Sequence, residues 1–247
     1  MLYKLKKKLK NLQSSLKKRK QTNLLWHDFK KFQSLDTDRR IPLSSSDFFP
    51  CLNDKTPTTY FEPHYTYHPA WAARVVREIS PDKHIDISSS LQFCTMLSAF
   101  VKTEFYDFRP AVIELDNLES KEGNLMALHF ETGSVFSISC MHTIEHIGLG
   151  RYGDDIDPSG DLKAIKELCR VCAPKGHLIV AVPVGKERIE FNAHRIYNAL
   201  KFSKYFDGFT LKEFSLISDN GAFIRNADIS DADHQRYGCG CFWFVKE

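Results

Sequence analysis

Beyond residue 82, short apolar runs alternate with stretches of helical period. His84-Ile85-Asp86-Ile87, Thr103 to Phe108, Val135 to Met141 and Leu178 to Val182 read as strands, with two later ones at Thr210 to Ile217 and Cys241 to Val245. Val135 to Met141 reads as a buried strand. Leu91 to Val101 reads as a helix, and another runs through Leu162, Ile165, Leu168 and Val171. Asp157 suits the N-cap of that second helix and Pro158 its first position. The turn Pro174-Lys175-Gly176 then returns the chain to a strand. An earlier helix is expected from near Pro69 through Ala72, Val75, Val76 and Ile79. This alternation predicts an α/β domain over residues 65–247, with a mostly parallel central sheet and helices on both faces. At 247 residues, 43% of them apolar, the chain can bury one such core and carry an extension.

The upstream pattern is different. Leu2, Leu5, Leu9, Leu12 and Leu16 recur at steps of three and four with lysines between them, which is a helix with one apolar stripe. Residues 1–31 hold 11 Lys and Arg and a single acid, Asp28, a charge of +10, whereas the rest of the chain carries −7. Residues 1–33 therefore read as a basic helical arm. It suits an anionic membrane surface or a partner helix, or else forms a solvated extension packed on its own domain or on a second copy. The body shows no second basic patch, which argues against a nucleic-acid partner. Residues 34–64, punctuated by Pro42, Ser44-Ser45-Ser46, Pro50, Pro57 and Pro63, read as a connector. The aromatic group Tyr60, Phe61, Tyr65, Tyr67 and Trp71 is expected mainly to fasten the N-terminal segment onto the core, with a substrate lid as the other reading. The first 31 residues contain no continuous apolar run, no window approaches 18 consecutive apolar residues, and seven cysteines lie in apolar or helical contexts. The expectation is a reducing cytoplasm, with peripheral contact at the inner membrane surface if the arm binds lipid.

Candidate chemistry concentrates where the strand Val135 to Met141 ends. There His142, Glu145 and His146 lead at once into the glycine-rich, charged run Gly148 to Asp154, and open α/β sheets build their sites beyond strand ends. Two acids also stand out by position: Asp86 in the first strand, and Asp107 ending the second, 21 residues later. In nucleotide-binding folds an acid at such a spacing accepts hydrogen bonds from ribose hydroxyls. After Asp86, Ser88-Ser89-Ser90 stands where a cofactor loop wants glycine. Serines can cap the next helix and donate hydrogen bonds, but a serine at positive φ is strained and its Cβ narrows the pocket. The lack of a G-x-x-x-x-G-K run argues against an ATPase or kinase. Cys169-x-x-Cys172, with Cys239-x-Cys241, reads as structural thiols rather than a zinc site, because the first pair lies in a core helix.

Several runs together resemble class I S-adenosylmethionine-dependent methyltransferases. Asn124 to Phe130, then Ser134 to Ser139, then Glu145-His146-Ile147 are similar to their "Asp-x-x-x-Leu-Pro-Phe", "Ser-Phe-Asp" and "Glu-His" segments. Glu167 to Val171 with Pro174-Lys175-Gly176 is similar to their helix and turn "Glu-Leu-x-Arg-Val-Leu-x-Pro-Gly-Gly". The run Glu145 to Asp154, with Asp157-Pro158, Pro183 to Gly185, Phe191 to Arg195 and Tyr237 to Gly240, resembles more narrowly the methyltransferase-like domain of unknown function 268 family. The likeness extends from about Tyr65 to Lys246.

The resemblance implies a Rossmann-like methyltransferase fold, S-adenosylmethionine as cofactor, and methyl transfer to a small polar acceptor such as a sugar or glycan precursor. Asp86 and Ser88 to Ser90 would face the methionine end of the cofactor, Asp107 the ribose, and Asn124 with Leu125 the adenine. The sequence departs from the pattern at Ser88, where a glycine is usual, and at Asn124 and Ser137, where an aspartate is usual. The alternative is a degenerate, non-catalytic member that binds a glycan intermediate or a protein partner. His142, Glu145 and His146 lie at i, i+3 and i+4, which is one face of a helical turn. Either imidazole could take a hydroxyl proton with Glu145 orienting it. The same three with His194 would also suit a zinc-class metal, and whether a metal is used stays open. Arg151, Tyr152, Asp154, Asn192, His194 and Arg195 are the substrate-side candidates, while Asp157 is expected to serve the following helix.

Overall fold

The structure, a computed structural model, describes residues 2–247, with side chains from residue 6 onward. The Leu2 and Leu5 side chains of the expected stripe lie outside the described residues. The chain divides into two compact units, Met1–Tyr60 and Phe61–Glu247.

In the first unit, helix α1 (Leu2–Leu35) is continuous. Its Leu9, Leu12 and Leu16 are more than half exposed. Further along, Trp26 and Phe29 pack with Phe48, all three ring centroids lying 5.0 to 5.7 Å apart. No helix among the described residues is long and apolar enough to cross a membrane.

The second unit begins with α2 (Pro63–Ile79), followed by β1 (Lys83–Ile87), α3 (Leu91–Leu97), β2 (Lys102–Asp107), β3 (Leu118–Glu122) and β4 (Val135–Met141). Next come α4 (Gly160–Val171), β5 (Cys172–Val184), a hairpin of β6 (Arg188–Glu190) and β7 (His194–Ile196), and α5 (Ala199–Ser203). Strands β8 (Phe209–Ile217), β9 (Phe223–Ile224) and β10 (Gly238–Lys246) complete it. Eight strands form one sheet in the order β3-β2-β1-β4-β5-β10-β8-β9. β1 to β5 pair in parallel, and β10 runs antiparallel between β5 and β8. The sheet is therefore mostly parallel, as expected.

Period-two alternation explains why β5 from Leu178 and β10 to Val245 are apolar on both faces. Leu178, Val180 and Val182 of β5 join Phe242 and Phe244 of β10 in a core with Ala164, Ile165, Leu168 and Val171 of α4. Ile179 and Ala181, with Cys239, Cys241 and Trp243, pack instead against Trp71, Ala72, Val75 and Val76 of α2 and Phe93 and Leu97 of α3. Each face carries its own helices, so polar side chains within the sheet, such as His84, Asp86, Ser137 and Ser139, are buried and hydrogen-bonded to one another.

Several boundaries differ from the sequence reading. α2 begins at Pro63, not near Pro69: Glu62 caps it by accepting from the Tyr65 N–H at 2.6 Å, and Pro69 lies inside the helix. α4 begins at Gly160, because residues Asp157 to Gly160 first close a turn in which Asp157 O accepts from Gly160 N. Asp157 Oδ1 accepts from Ser159 N within that turn. α3 stops at Leu97 rather than Val101. Strand β3 (Leu-Glu-Ser-Lys-Glu) escaped notice because it is a polar edge strand; its Lys121 pairs with Glu119 and Glu104.

Candidate active site

β1, β2 and β4 end beside one cavity of about 770 Å³, in the size range of small-ligand sites. Ser88, Asp107, Asn124 and Leu125 line one part of it, and His142, Glu145, His146, Arg151, Tyr152, Asp154 and His194 line the rest. Asp86, Ser90, Asn192 and Arg195 are not in its wall.

The loop after β1 shows why. Asp86 is fully buried, where its Oδ1 accepts from Ser89 N at 3.0 Å and its Oδ2 from Ser139 Oγ. The chain of bonds continues behind it: Ser139 Oγ lies 2.9 Å from His84 Nε2, and His84 Nδ1 2.8 Å from Ser137 Oγ. Since Ser139 donates to Asp86, its oxygen accepts from His84 Nε2–H, and His84 Nδ1 accepts from Ser137. Burial raises the Asp86 pKa to about 6 and lowers that of His84 to about 3, so this imidazole stays neutral. Ser137, one of the departures from the family pattern, thus satisfies a buried histidine. Ser90 Oγ caps α3 by accepting from Phe93 N. Asp86 and Ser90 shape the loop from beneath, outside the residues that line the cavity.

Ser88 takes the left-handed backbone that the sequence reading associated with glycine, at φ +55°. Its N–H and hydroxyl both donate to Tyr106 O, at 2.8 and 3.1 Å. Replacing it by glycine relieves about 1–2 kcal/mol of strain, but loses a hydrogen bond worth about 1 kcal/mol and adds a similar unfolded-state entropy. Ser88→Gly is therefore expected to unfold within about 1 kcal/mol of wild type. It is also expected to bind S-adenosylhomocysteine more tightly in calorimetry, because a Cβ and a hydroxyl leave the cavity wall. Weaker binding would mean that the serine hydroxyl itself contacts the ligand.

Across the cavity, β4 ends in His142 at φ +53°, and a 3₁₀ turn, Ile144–His146, follows. Glu145 is buried; its Oε1 accepts from His142 Nδ1 at 2.9 Å and lies 3.8 Å from His146 Nε2. Glu145 Oε2 and His142 Nε2 are buried without a hydrogen-bond partner. Burial alone would lower the His142 pKa, but Cys239 and Glu145 beside it outweigh that and raise it. His146 is shifted the other way, lowered chiefly by burial and, more weakly, by Arg151 and His142, with Glu145 opposing. Tyr65 of α2 also lines the cavity, its ring 5.3 Å from that of His142. Tyr67 and Trp71 instead fasten α2 to the sheet, Trp71 by donating to Glu213 at 2.8 Å.

The loop beyond is organised by Asp154. Its Oδ2 accepts from the N–H groups of Gly148 and Gly150 and its Oδ1 from that of Tyr152. Tyr152 lies within cation–π range of both Arg109 and Arg151, at 4.8 and 5.1 Å. Arg195 belongs to the scaffold. It is buried, donates to Ile147 O at 2.7 Å, and its Nε lies 3.4 Å from Asp161 Oδ2. Asn192 is exposed in the β6–β7 turn. His194 lines the cavity, with its ring 4.9 Å from that of Tyr237. Tyr65, Phe108, Arg109 and Tyr237 also contribute to the wall without having been singled out as site residues. Their signal was weak, since an aromatic residue beside a strand or helix end reads first as packing.

A family model described as "Caenorhabditis protein of unknown function, DUF268" matches residues 106–237. No curated protein matches the sequence. Among solved structures, the N-methyltransferase NodS from Bradyrhizobium japonicum WM9 in complex with S-adenosyl-L-homocysteine is similar with a TM-score of 0.53. It is 12% identical, and the match covers 80% of this chain and 91% of that one. The YcgJ protein from Bacillus subtilis is 12% identical with a TM-score of 0.52, over 74% of this chain and 99% of that one. At such identities the likeness establishes the fold, which is that of class I methyltransferases.

Proposed function

This chain belongs to the DUF268 family, built on a class I methyltransferase fold, and on that premise we propose that it methylates a hydroxyl of a small polar acceptor such as a sugar, using S-adenosylmethionine. The observation that carries this reading is one continuous cavity with Asp107 in one part of its wall and the buried Glu145 beside His146 in another. The wall suits the cofactor. Asp107 uses only Oδ1 within the protein, accepting from Arg109 N at 2.8 Å, which leaves Oδ2 for ribose hydroxyls. Asn124 uses its Oδ1 in a turn with Met126 N but has an acceptor lone pair left for an adenine amino group. When bound, the cofactor supplies an electrophilic methyl on a sulfonium, which needs from the protein mainly alignment and a base.

His146 meets the requirements of the base. Its Nδ1 lies 2.6 Å from Ala193 O, an acceptor only, so Nδ1 carries the proton and Nε2 keeps a lone pair. Arg151 donates to the same carbonyl at 3.0 Å and helps to hold it in place. His146 Nε2 would accept the proton of the acceptor hydroxyl, and Glu145 Oε1, 3.8 Å away, would stabilise the resulting imidazolium. Arg109, Arg151 and Tyr152 would hold the polar acceptor.

The charged and titratable groups around His146 are Glu145, Arg151, His142, Tyr152 and His194. Burial lowers its pKa below 6.5, so the active neutral form is complete at neutral pH and lost on acidification. The rate is expected to be flat above pH 7 and to fall with an apparent pKa below 6.5. A limb centred above 7 would rule out His146 as the base.

The function itself is tested by titrating S-adenosylmethionine and S-adenosylhomocysteine into the full chain by calorimetry, followed by assay of methyl transfer to hydroxyl-rich acceptors. Micromolar binding is expected. A folded sample that binds neither would overturn the methyl-transfer reading in favour of a non-catalytic binding protein, with the strained Ser88 loop as the physical reason.

A further inference from the structure

We propose that His64, His142 and Cys239 together hold a zinc-class transition-metal ion beside the cavity. The three come from different elements: His64 from the first turn of α2, His142 from just beyond β4, and Cys239 from β10. One ligand atom from each lies within 4.8 Å of the others, and among the described residues no other group of three such side chains converges. His64 is 7% exposed, the His142 side chain 5% and Cys239 0%.

A second observation points to a ligand. The His142 imidazole is held through Nδ1, which donates to Glu145 Oε1 at 2.9 Å, while its other nitrogen, Nε2, is buried with no hydrogen-bond partner among the described residues. A histidine fixed by a carboxylate on one nitrogen and free on the other is how proteins present an imidazole to a metal. His64 is buried in the first turn of α2, with its ring centroid 5.6 Å from that of His142. One thiolate and two imidazoles select zinc, copper or iron over magnesium or calcium. Three protein ligands also leave a fourth place for an exchangeable group, and His142 and the adjacent Tyr65 both line the cavity. In a tetrahedral zinc site the ligand atoms stand about 3.3–3.6 Å apart, so closure on the ion needs side-chain movements of about an ångström. The set differs from the His142, Glu145, His146 and His194 group suggested by the sequence. His146 Nδ1 is engaged by Ala193 O, and Glu145 serves as the positioning residue for His142.

A thiol binds such an ion as the thiolate, so metal uptake is expected to release the proton of Cys239. The probe is Co²⁺, titrated into chelator-treated, full-length protein. A thiolate-to-cobalt absorption band at one equivalent is expected, displaced by Zn²⁺ and lost in Cys239→Ser, with affinity at least tenfold weaker in His64→Ala. Should Cys239→Ser fail to fold, Zn²⁺ protection of Cys239 from alkylation in the wild-type protein, read by mass spectrometry, gives the same answer. No cobalt band from folded wild-type protein, a band that survives in Cys239→Ser, or Cys239 alkylated equally with and without Zn²⁺ would each overturn the proposal. S-adenosylhomocysteine binding requires none of the three ligands, so its calorimetric result stands or falls separately.

Discussion

Asp107→Ala is expected to abolish measurable binding of S-adenosylhomocysteine while leaving the protein folded. Asp107 ends β2 at the cavity wall, and among the described residues the only hydrogen bond of its carboxylate is the one Oδ1 accepts from Arg109 N. A carboxylate in that place can accept from both ribose hydroxyls. Hydrogen bonds to a charged partner contribute about 1.5–3 kcal/mol each, so losing two weakens binding by roughly 10² to 10⁴-fold. A micromolar ligand then becomes invisible to calorimetry. Asp107→Asn keeps one acceptor and is expected to fall between the two. Stability should change by less than about 1 kcal/mol, because one partly exposed turn bond is all that is removed. Undiminished binding in Asp107→Ala would mean that the ribose does not lie against β2.

Gly148→Ala should be among the most damaging single substitutions in the loop. Gly148 has φ +78°, and a Cβ placed there would lie 2.0 Å from Asp157 O and 2.9 Å from the carbonyl carbon behind it. The obstacle is backbone, so no side-chain rotation relieves it. The same glycine donates to Asp154 Oδ2 and accepts from Asp157 N, which ties the loop to the entry of α4. About 1 kcal/mol of left-handed strain plus about 1–3 kcal/mol of overpacking predicts a loss of about 2–4 kcal/mol. For a domain of this size that lowers Tm by roughly 4–16 °C. Displacing residues 148–154 should also carry Arg151 and Tyr152 away from the cavity and remove activity even in the folded fraction. Gly153→Ala is the control. It shares a positive φ, +89°, but nothing lies within 4 Å of its Cβ, so only about 1 kcal/mol of strain is expected. Equal effects from the two variants, measured by chemical denaturation, would show that the clash is absorbed.

Much of this molecule is readable from local pattern. Alternating apolar runs and helical periods are short-range signals, and they place β1, β2, β4, β8 and β10 within a few residues of their observed ends, whereas β5 starts at Cys172, ahead of the expected Leu178, and takes in the Pro174-Lys175-Gly176 segment read as a turn. The strain at Ser88 was also legible, because the fold demands a left-handed residue at that turn whatever side chain occupies it. Polar elements such as β3 and the β6–β7 hairpin were not legible, since they bury little and leave no period.

Side-chain roles divide in the same way. His142, Glu145 and His146 are neighbours in sequence, and their grouping is a local fact. The α/β class, the basic helix at the start of the chain and the grouping of those three side chains follow from local pattern. That Asp86 lies beneath its loop, that Arg195 braces Ile147 and Asp161, and that His64 and Cys239 converge on His142 are results of long-range packing. These outcomes depend on sheet register and on which face each helix covers. Cys239 stands opposite Pro183 and Ile217, on the face that α2 packs against. Contacts between residues 64, 142 and 239 are set by the packing of three elements, and no periodicity along the chain encodes them.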